Sequence, residues 1–163
     1  MRALLQRVSS AHVTIGGGGD AGGEVTGSIQ RGLLVLAGIH KLDTPADGEW
    51  IIKKILSMRI FEDDAGKMGR SIEDIRGEIL VVSQFTLYGN LRKGTRPDFS
   101  DSMPGPQARE FYDAWMKRLR ESTALRIQEG RFAAPMNVHL VNDGPVTIMI
   151  ESKGGETPPG LPS

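Results

Sequence analysis

The chain has 163 residues, 39% of them hydrophobic and 25% charged, the balance of one globular domain that buries roughly 70% of its unfolded surface. Lysine plus arginine equals aspartate plus glutamate at 20 each, so no global positive field recruits nucleic acid, and any contact with RNA must use a local patch. Cysteine is absent, which excludes disulfides, thiolate nucleophiles and cysteine-ligated metal sites.

No apolar run approaches the ~20 residues of a membrane helix. Arg2 and Arg7 interrupt the stretch where a signal peptide would be apolar, so a cytoplasmic protein with no membrane partner is expected. Residues 2–15 alternate as a strand, Val25 to Ile29 suits a returning one, and six glycines in residues 16–23 make a loose hairpin tip between them. The run Gly32 to Ile39 reads as a strand covered on both faces. Thr44, Pro45 and Asp47 mark a helix start, followed by Trp50, Ile51, Ile55 and Met58 at helical spacing. Arg59 to Phe61 is a short strand, and Ile79 to Leu87 is the best buried one. A second helix is expected over about Gln107 to Ser122, with Ala108, Phe111, Tyr112, Trp115 and Leu119 as its apolar stripe. Asn137 to Val141 and Val146 to Glu151 read as two strands separated by a turn. Residues 153–163, rich in proline and glycine, read as a disordered tail beyond a domain at 1–152. This order predicts one mixed α/β domain with helices packed on a sheet.

Several apparent motifs lack the context their chemistry requires. Gly17, Gly19 and Gly22 fit a dinucleotide-binding fingerprint, but no helix follows to aim its N-terminus at a pyrophosphate. His12, His40 and His139 lie in three elements without ligand spacing, so no metal and no cofactor is expected.

Two segments are harder to read as simple structure. Ser83-Gln84-Phe85-Thr86-Leu87 puts hydroxyls and an amide at the mouth of a core strand, where Gln84 and Thr86 would share one face. Left dry, each such group costs about 1–3 kcal/mol, so they bond either to neighbouring backbone or to a polar ligand. The other is Asn142-Asp143-Gly144-Pro145-Val146-Thr147. Together these segments, with the start Met1 to Ala11, Arg59 to Asp63 and Arg92 to Pro97, make the chain resemble the D-aminoacyl-tRNA deacylase family from Met1 to about Ser152. Ala133 stands where that family's pattern leads us to expect glycine.

The resemblance implies the family's three-layer fold, with largely antiparallel β-sheets and helices packed on one side. It implies hydrolysis of the ester of D-aminoacyl-tRNA, and of glycyl-tRNA, by a homodimer that binds the 3′ acceptor end. Ser83, Gln84, Phe85 and Thr86 would position the ester and adenosine, with the ribose 2′-hydroxyl helping to activate water. Thr86 is the candidate nucleophile, although the sequence offers no base for it, and positioning is the favoured role. Gly144 and Pro145 would enter the partner's pocket as a wall that rejects L-residues, and Met136 and Arg7 would complete the substrate-binding set. Arg92, Lys93 and Arg96 would grip tRNA phosphates. The competing readings are a small-molecule esterase or amidase using Thr86, and an RNA-binding module without catalysis.

Overall fold

Strand β1 (Arg2–Ile15) alternates buried and part-exposed residues and serves as the spine of the sheet. The computed structural model describes residues 1–16 and 23–152. The glycine-rich tip at 17–22 and the stretch 153–163, for which the sequence suggested a loose tip and a disordered tail, lie outside the described residues.

β1 pairs antiparallel with β2 (Glu24–Ile29) over its second half and with β3 (Gly32–Gly38) over its first. From β3 the chain crosses through α1 (Pro45–Ser57) and a small ribbon of β4 (Phe61–Glu62) and β5 (Met68–Arg70) to β6 (Glu78–Ser83), parallel to β3. It crosses again through α2 (Gly105–Glu121) to β7 (Ile127–Glu129), parallel to β6. Parallel neighbours require such crossovers. Two crossovers stepping the same way along the sheet set both helices on one face, where α1 and α2 pack together. β8 (Asn137–Glu151) returns along the other edge of β1 and pairs only with it among the described residues. The ladders are mostly antiparallel, and the fold is the expected mixed α/β domain.

Alternation along the strands divides the apolar residues between two cores. Leu33, Val35, Ile79 and Val81 face the helices with Ile51, Ile55, Trp115 and Leu119. Leu34, Leu80 and Val82 face the opposite side, against Val8, Val13 and Ile29. Each fully buried aliphatic chain contributes about 1.5–3 kcal/mol relative to exposure.

Four local expectations change. Trp50 is half-exposed under Lys54 rather than buried, because α1 turns Gly48, Ile51, Ile52 and Ile55 inward. Phe111 is only partly buried, and Met116 takes its place in the α2 stripe. Short β7 has no apolar periodicity and was not foreseen. Residues 137–151 form one strand rather than two strands around a turn, since both halves pair with β1. Between the pairs Gln6–Thr147 and Val8–Asn142, five steps on β8 oppose two on β1, so Asp143 to Val146 bulge out of the ladder.

Candidate active site

The site forms where β6 leaves the sheet, its last residue Ser83 paired with Ala37, one residue before β3 itself ends. The Gln84 amide donates to the Ala37 carbonyl at 2.7 Å, close to where β3 ends at Gly38. Beyond this bond the chain leaves the sheet and coils into a single 3-10 turn, Phe85–Tyr88, closed by the Gly89 amide on the Thr86 carbonyl at 2.9 Å. The expected strand over Ile79 to Leu87 therefore stops at Ser83, and the pleat that would align Gln84 with Thr86 does not exist. The two side chains meet by another route, as the Gln84 amide nitrogen donates to Thr86 Oγ1 across the start of the turn.

Ser83, Gln84 and Phe85 line a cavity of about 610 Å³. Its opposite walls come from Phe99 to Ala108, before and within the first turn of α2, and from Phe132 to Val138, which lead into β8. Met136 lines it, whereas Thr86 is exposed and is not part of the lining. Phe85 is 59% exposed and meets Phe99 edge-to-face at 5.0 Å, forming an aromatic lip. The Phe85 carbonyl is held by Ser102 Oγ at 3.0 Å. As in any helical start, the first amides of the turn, those of Phe85 and Thr86, have no carbonyl within it to bond. Ala133 has φ 59°, a left-handed conformation that favours glycine, on the cavity wall where the sequence pattern leads us to expect glycine.

Gly144 and Pro145 lie elsewhere. Both are exposed in the β8 bulge, joined by a cis peptide bond, and neither lines the cavity of its own chain. Arg7 is 5% exposed and packs beneath this corner. Its Nε donates to the Asp143 carbonyl at 3.1 Å and pairs with the Asp143 carboxylate at 3.2 Å, while Nη1 donates to the Ile60 carbonyl at 2.7 Å. Asn142 Oδ1 accepts the Val146 amide at 3.0 Å, bracing the other side.

Arg92, Lys93 and Arg96 occupy an exposed excursion whose ends are pinned by reciprocal backbone bonds between Asn90 and Asp98. None of the three makes an ion pair among the described residues, although most other arginines do. The histidines do not converge. His12 and His139 stack at 4.4 Å on paired strands, and His40 lies against Tyr88. Among the described residues, no group of three or more His, Asp or Glu is placed to hold a metal ion. Burial, reinforced by the charge of Asp43, pushes the Tyr88 phenol well above its ordinary range and keeps it neutral.

The arrangement offers backbone amides, a polar strand end and an aromatic lip around a cavity, on a mixed α/β fold with both helices on one face of the sheet. The sequence profile of the D-Tyr-tRNA(Tyr) deacylase family matches residues 4–151, and the chain belongs to that family. It is 47% identical over 153 residues to the D-aminoacyl-tRNA deacylase of Thermosipho melanesiensis, covering 94% of this chain and 98% of that one. It is 51% identical over 152 residues to the protein of the same name from Chloroherpeton thalassium, covering 93% and 96%. Among solved structures, one titled c-Myc DNA unwinding element binding protein superposes with a TM-score of 0.85 at 45% identity, over 93% of this chain and 99% of that one. A probable eukaryotic D-amino acid tRNA deacylase shares the fold, with a TM-score of 0.77 at 19% identity over 93% and 98%.

Proposed function

We propose that this chain hydrolyses the ester of D-aminoacyl-tRNA, and of glycyl-tRNA, releasing free amino acid and tRNA. Membership of the deacylase family supports the reaction, and one observation supports the mechanism. The polar strand end opens into a 3-10 turn on the wall of a cavity. Bound there, the ester carbonyl meets the amides of Phe85 and Thr86, which stabilise the oxyanion that forms as water adds. Ser83, Gln84 and Thr86 orient the amino acid and the terminal adenosine, and the ribose 2′-hydroxyl helps activate the water. An ester is already an activated acyl group, so positioning of this kind suffices without a nucleophile–base pair.

Chirality follows from exclusion. Once amino and carbonyl groups are pinned, L- and D-residues differ in where the side chain projects, and a rigid wall on the L side rejects every L side chain at once. Gly144 and Pro145 are that wall, supplied in trans. They are exposed and lie outside the cavity of their own chain, and Arg7 stiffens the corner from below. β8 is a 15-residue edge strand bearing exposed Leu140, Val141 and Met149, and a long apolar edge of this kind invites a second copy. A two-fold homodimer would exchange two walls between two pockets. Arg92, Lys93 and Arg96 take the phosphates of the acceptor end. The reaction belongs in the cytoplasm, with its substrate. Among the described residues, no helix is long and apolar enough to cross a membrane.

The test gives purified protein D-Tyr-tRNA, L-Tyr-tRNA and Gly-tRNA in parallel. Loss of the D and glycyl esters with L-Tyr-tRNA intact is the expected result, and equal loss of D and L would refute the wall. Sedimentation of wild type and Val141→Asp checks the assembly: the charge should yield monomers that lose the discrimination.

A further inference from the structure

Nothing in its local sequence singles out Arg2, the first residue of β1, yet its side chain reaches the turn that carries Thr86. Its Nη1 donates to the Leu87 carbonyl at 2.9 Å, and its Nε donates to Glu151 Oε1 at 2.8 Å, at the end of β8. The guanidinium lies over the Tyr88 ring, 4.5 Å from its centre. The planar fork thus engages a carbonyl, a carboxylate and an aromatic face at once, a combination that lysine cannot reproduce in full. The turn has few other anchors. Ser102 holds the Phe85 carbonyl, the Gln84 amide bonds to Ala37, and Gly38 lies directly beneath. A methyl group on Gly38 would stand 3.1 Å from the Gln84 carbonyl, 3.2 Å from Leu87 Cβ and 3.3 Å from the Tyr88 ring.

We infer that Arg2 is a positioning residue: it fixes the 3-10 turn to the β1–β8 edge, and so fixes the amides of Phe85 and Thr86 against the ester. This rests on the proposed function, since it assigns Arg2 to the same site. The physical basis is the steep dependence of rate on geometry, where a misplacement of about 1 Å costs on the order of 100-fold. Binding of the tRNA body does not pass through the turn, so the deficit falls on the chemical step.

The experiment measures single-turnover hydrolysis of D-Tyr-tRNA by wild type, Arg2→Gln, Arg2→Lys and Gly38→Ala, with circular dichroism giving the folded fraction of each. Arg2→Gln should lower the rate constant at saturating enzyme by about 10- to 100-fold. The half-saturating enzyme concentration should stay within about threefold. Arg2→Lys, whose ammonium can still reach the Leu87 carbonyl, should recover to within about fivefold of wild type. Gly38→Ala, at the ladder partner of Arg2 on β3, pushes the same turn from below through Gln84, Leu87 and Tyr88, and should reproduce the split. A wild-type rate constant in Arg2→Gln, or a loss that only tracks the folded fraction, overturns the inference. So does a loss confined to half-saturation. If Arg2→Gln does not fold, Arg2→Lys decides: a wild-type rate constant overturns the inference, and a loss of about two- to fivefold in the rate constant with half-saturation unchanged sustains it. Failure of wild type to cleave D-Tyr-tRNA would instead remove the proposed function.

Discussion

Thr86 Oγ1 accepts a hydrogen bond from the Gln84 side-chain amide, and no imidazole, carboxylate or amine lies within hydrogen-bond reach of it among the described residues. An amide donor cannot take the hydroxyl proton, so the side chain is poorly equipped for attack. Thr86→Ala should therefore retain activity, losing no more than about 10-fold in single-turnover rate; complete loss, or a trapped acyl-enzyme, would establish the nucleophile reading instead. Gly144 is constrained differently. Its φ of 123° is one that L-residues rarely adopt, and an added methyl would stand 2.9 Å from Arg7 Nη2 and 2.8 Å from Val146 Cγ2. Gly144→Ala should destabilise the fold by about 1–2 kcal/mol through backbone conformation alone. By shifting the corner it should also narrow the ratio of D- to L-ester hydrolysis. Denaturant titration and the paired ester assay read the two effects separately. Ser83, Gln84 and Phe85, which line the cavity, were legible as a candidate site because polar groups interrupt an apolar strand. Arg2 was not, because its partners lie 85 and 149 positions away.

Among the elements, α1 shows how local chemistry fixes a boundary. Thr44 precedes it, Pro45 opens it, and the Asp47 carboxylate accepts from the Thr44 amide at 2.9 Å and from its hydroxyl at 2.8 Å. Burial alone would raise the Asp47 pKa, but hydrogen bonds from Thr44 and Ser152 outweigh it and lower the value from 3.8 to about 2. The folded state therefore binds this proton less readily than the unfolded chain. Its stabilising share is complete above about pH 4 and lost as pH falls toward 2. Solvent screening of this part-exposed group holds the effect to about 1 kcal/mol. Thermal unfolding between pH 5 and pH 2 should show the stability gap between wild type and Asp47→Asn closing as pH falls, and a constant gap would exclude the linkage. The helix start was readable because its signals sit within four residues. The end of β6 was not, because it is set by pairing with β3, which lies more than 40 positions earlier in the chain. β7 escaped notice for a related reason: three residues paired on one edge carry no period of their own.

At the level of the whole molecule, neutral net charge leaves binding of tRNA to a local surface. Replacing Arg92, Lys93 and Arg96 together by glutamine should weaken tRNA binding and flatten its dependence on salt. For a single-stranded acceptor end the slope of log affinity against log salt should fall by about 2, given ~0.7 per phosphate contact. An unchanged slope in filter-binding titrations would place the phosphate contacts elsewhere. The sequence by itself determined the order of most strands, both helices, the apolar faces that build the two cores, and the two motifs that mark the deacylase family. These follow from backbone preference and residue period, which act over a few positions. Only the tertiary structure decided that β6 breaks into a turn at Gln84, that residues 137–151 run as one bulged strand, and that Gly144 and Pro145 are exposed and do not line the cavity of their own chain. Each depends on which distant segment lies alongside, and that is set by the packing of the whole sheet rather than by any local stretch of chain.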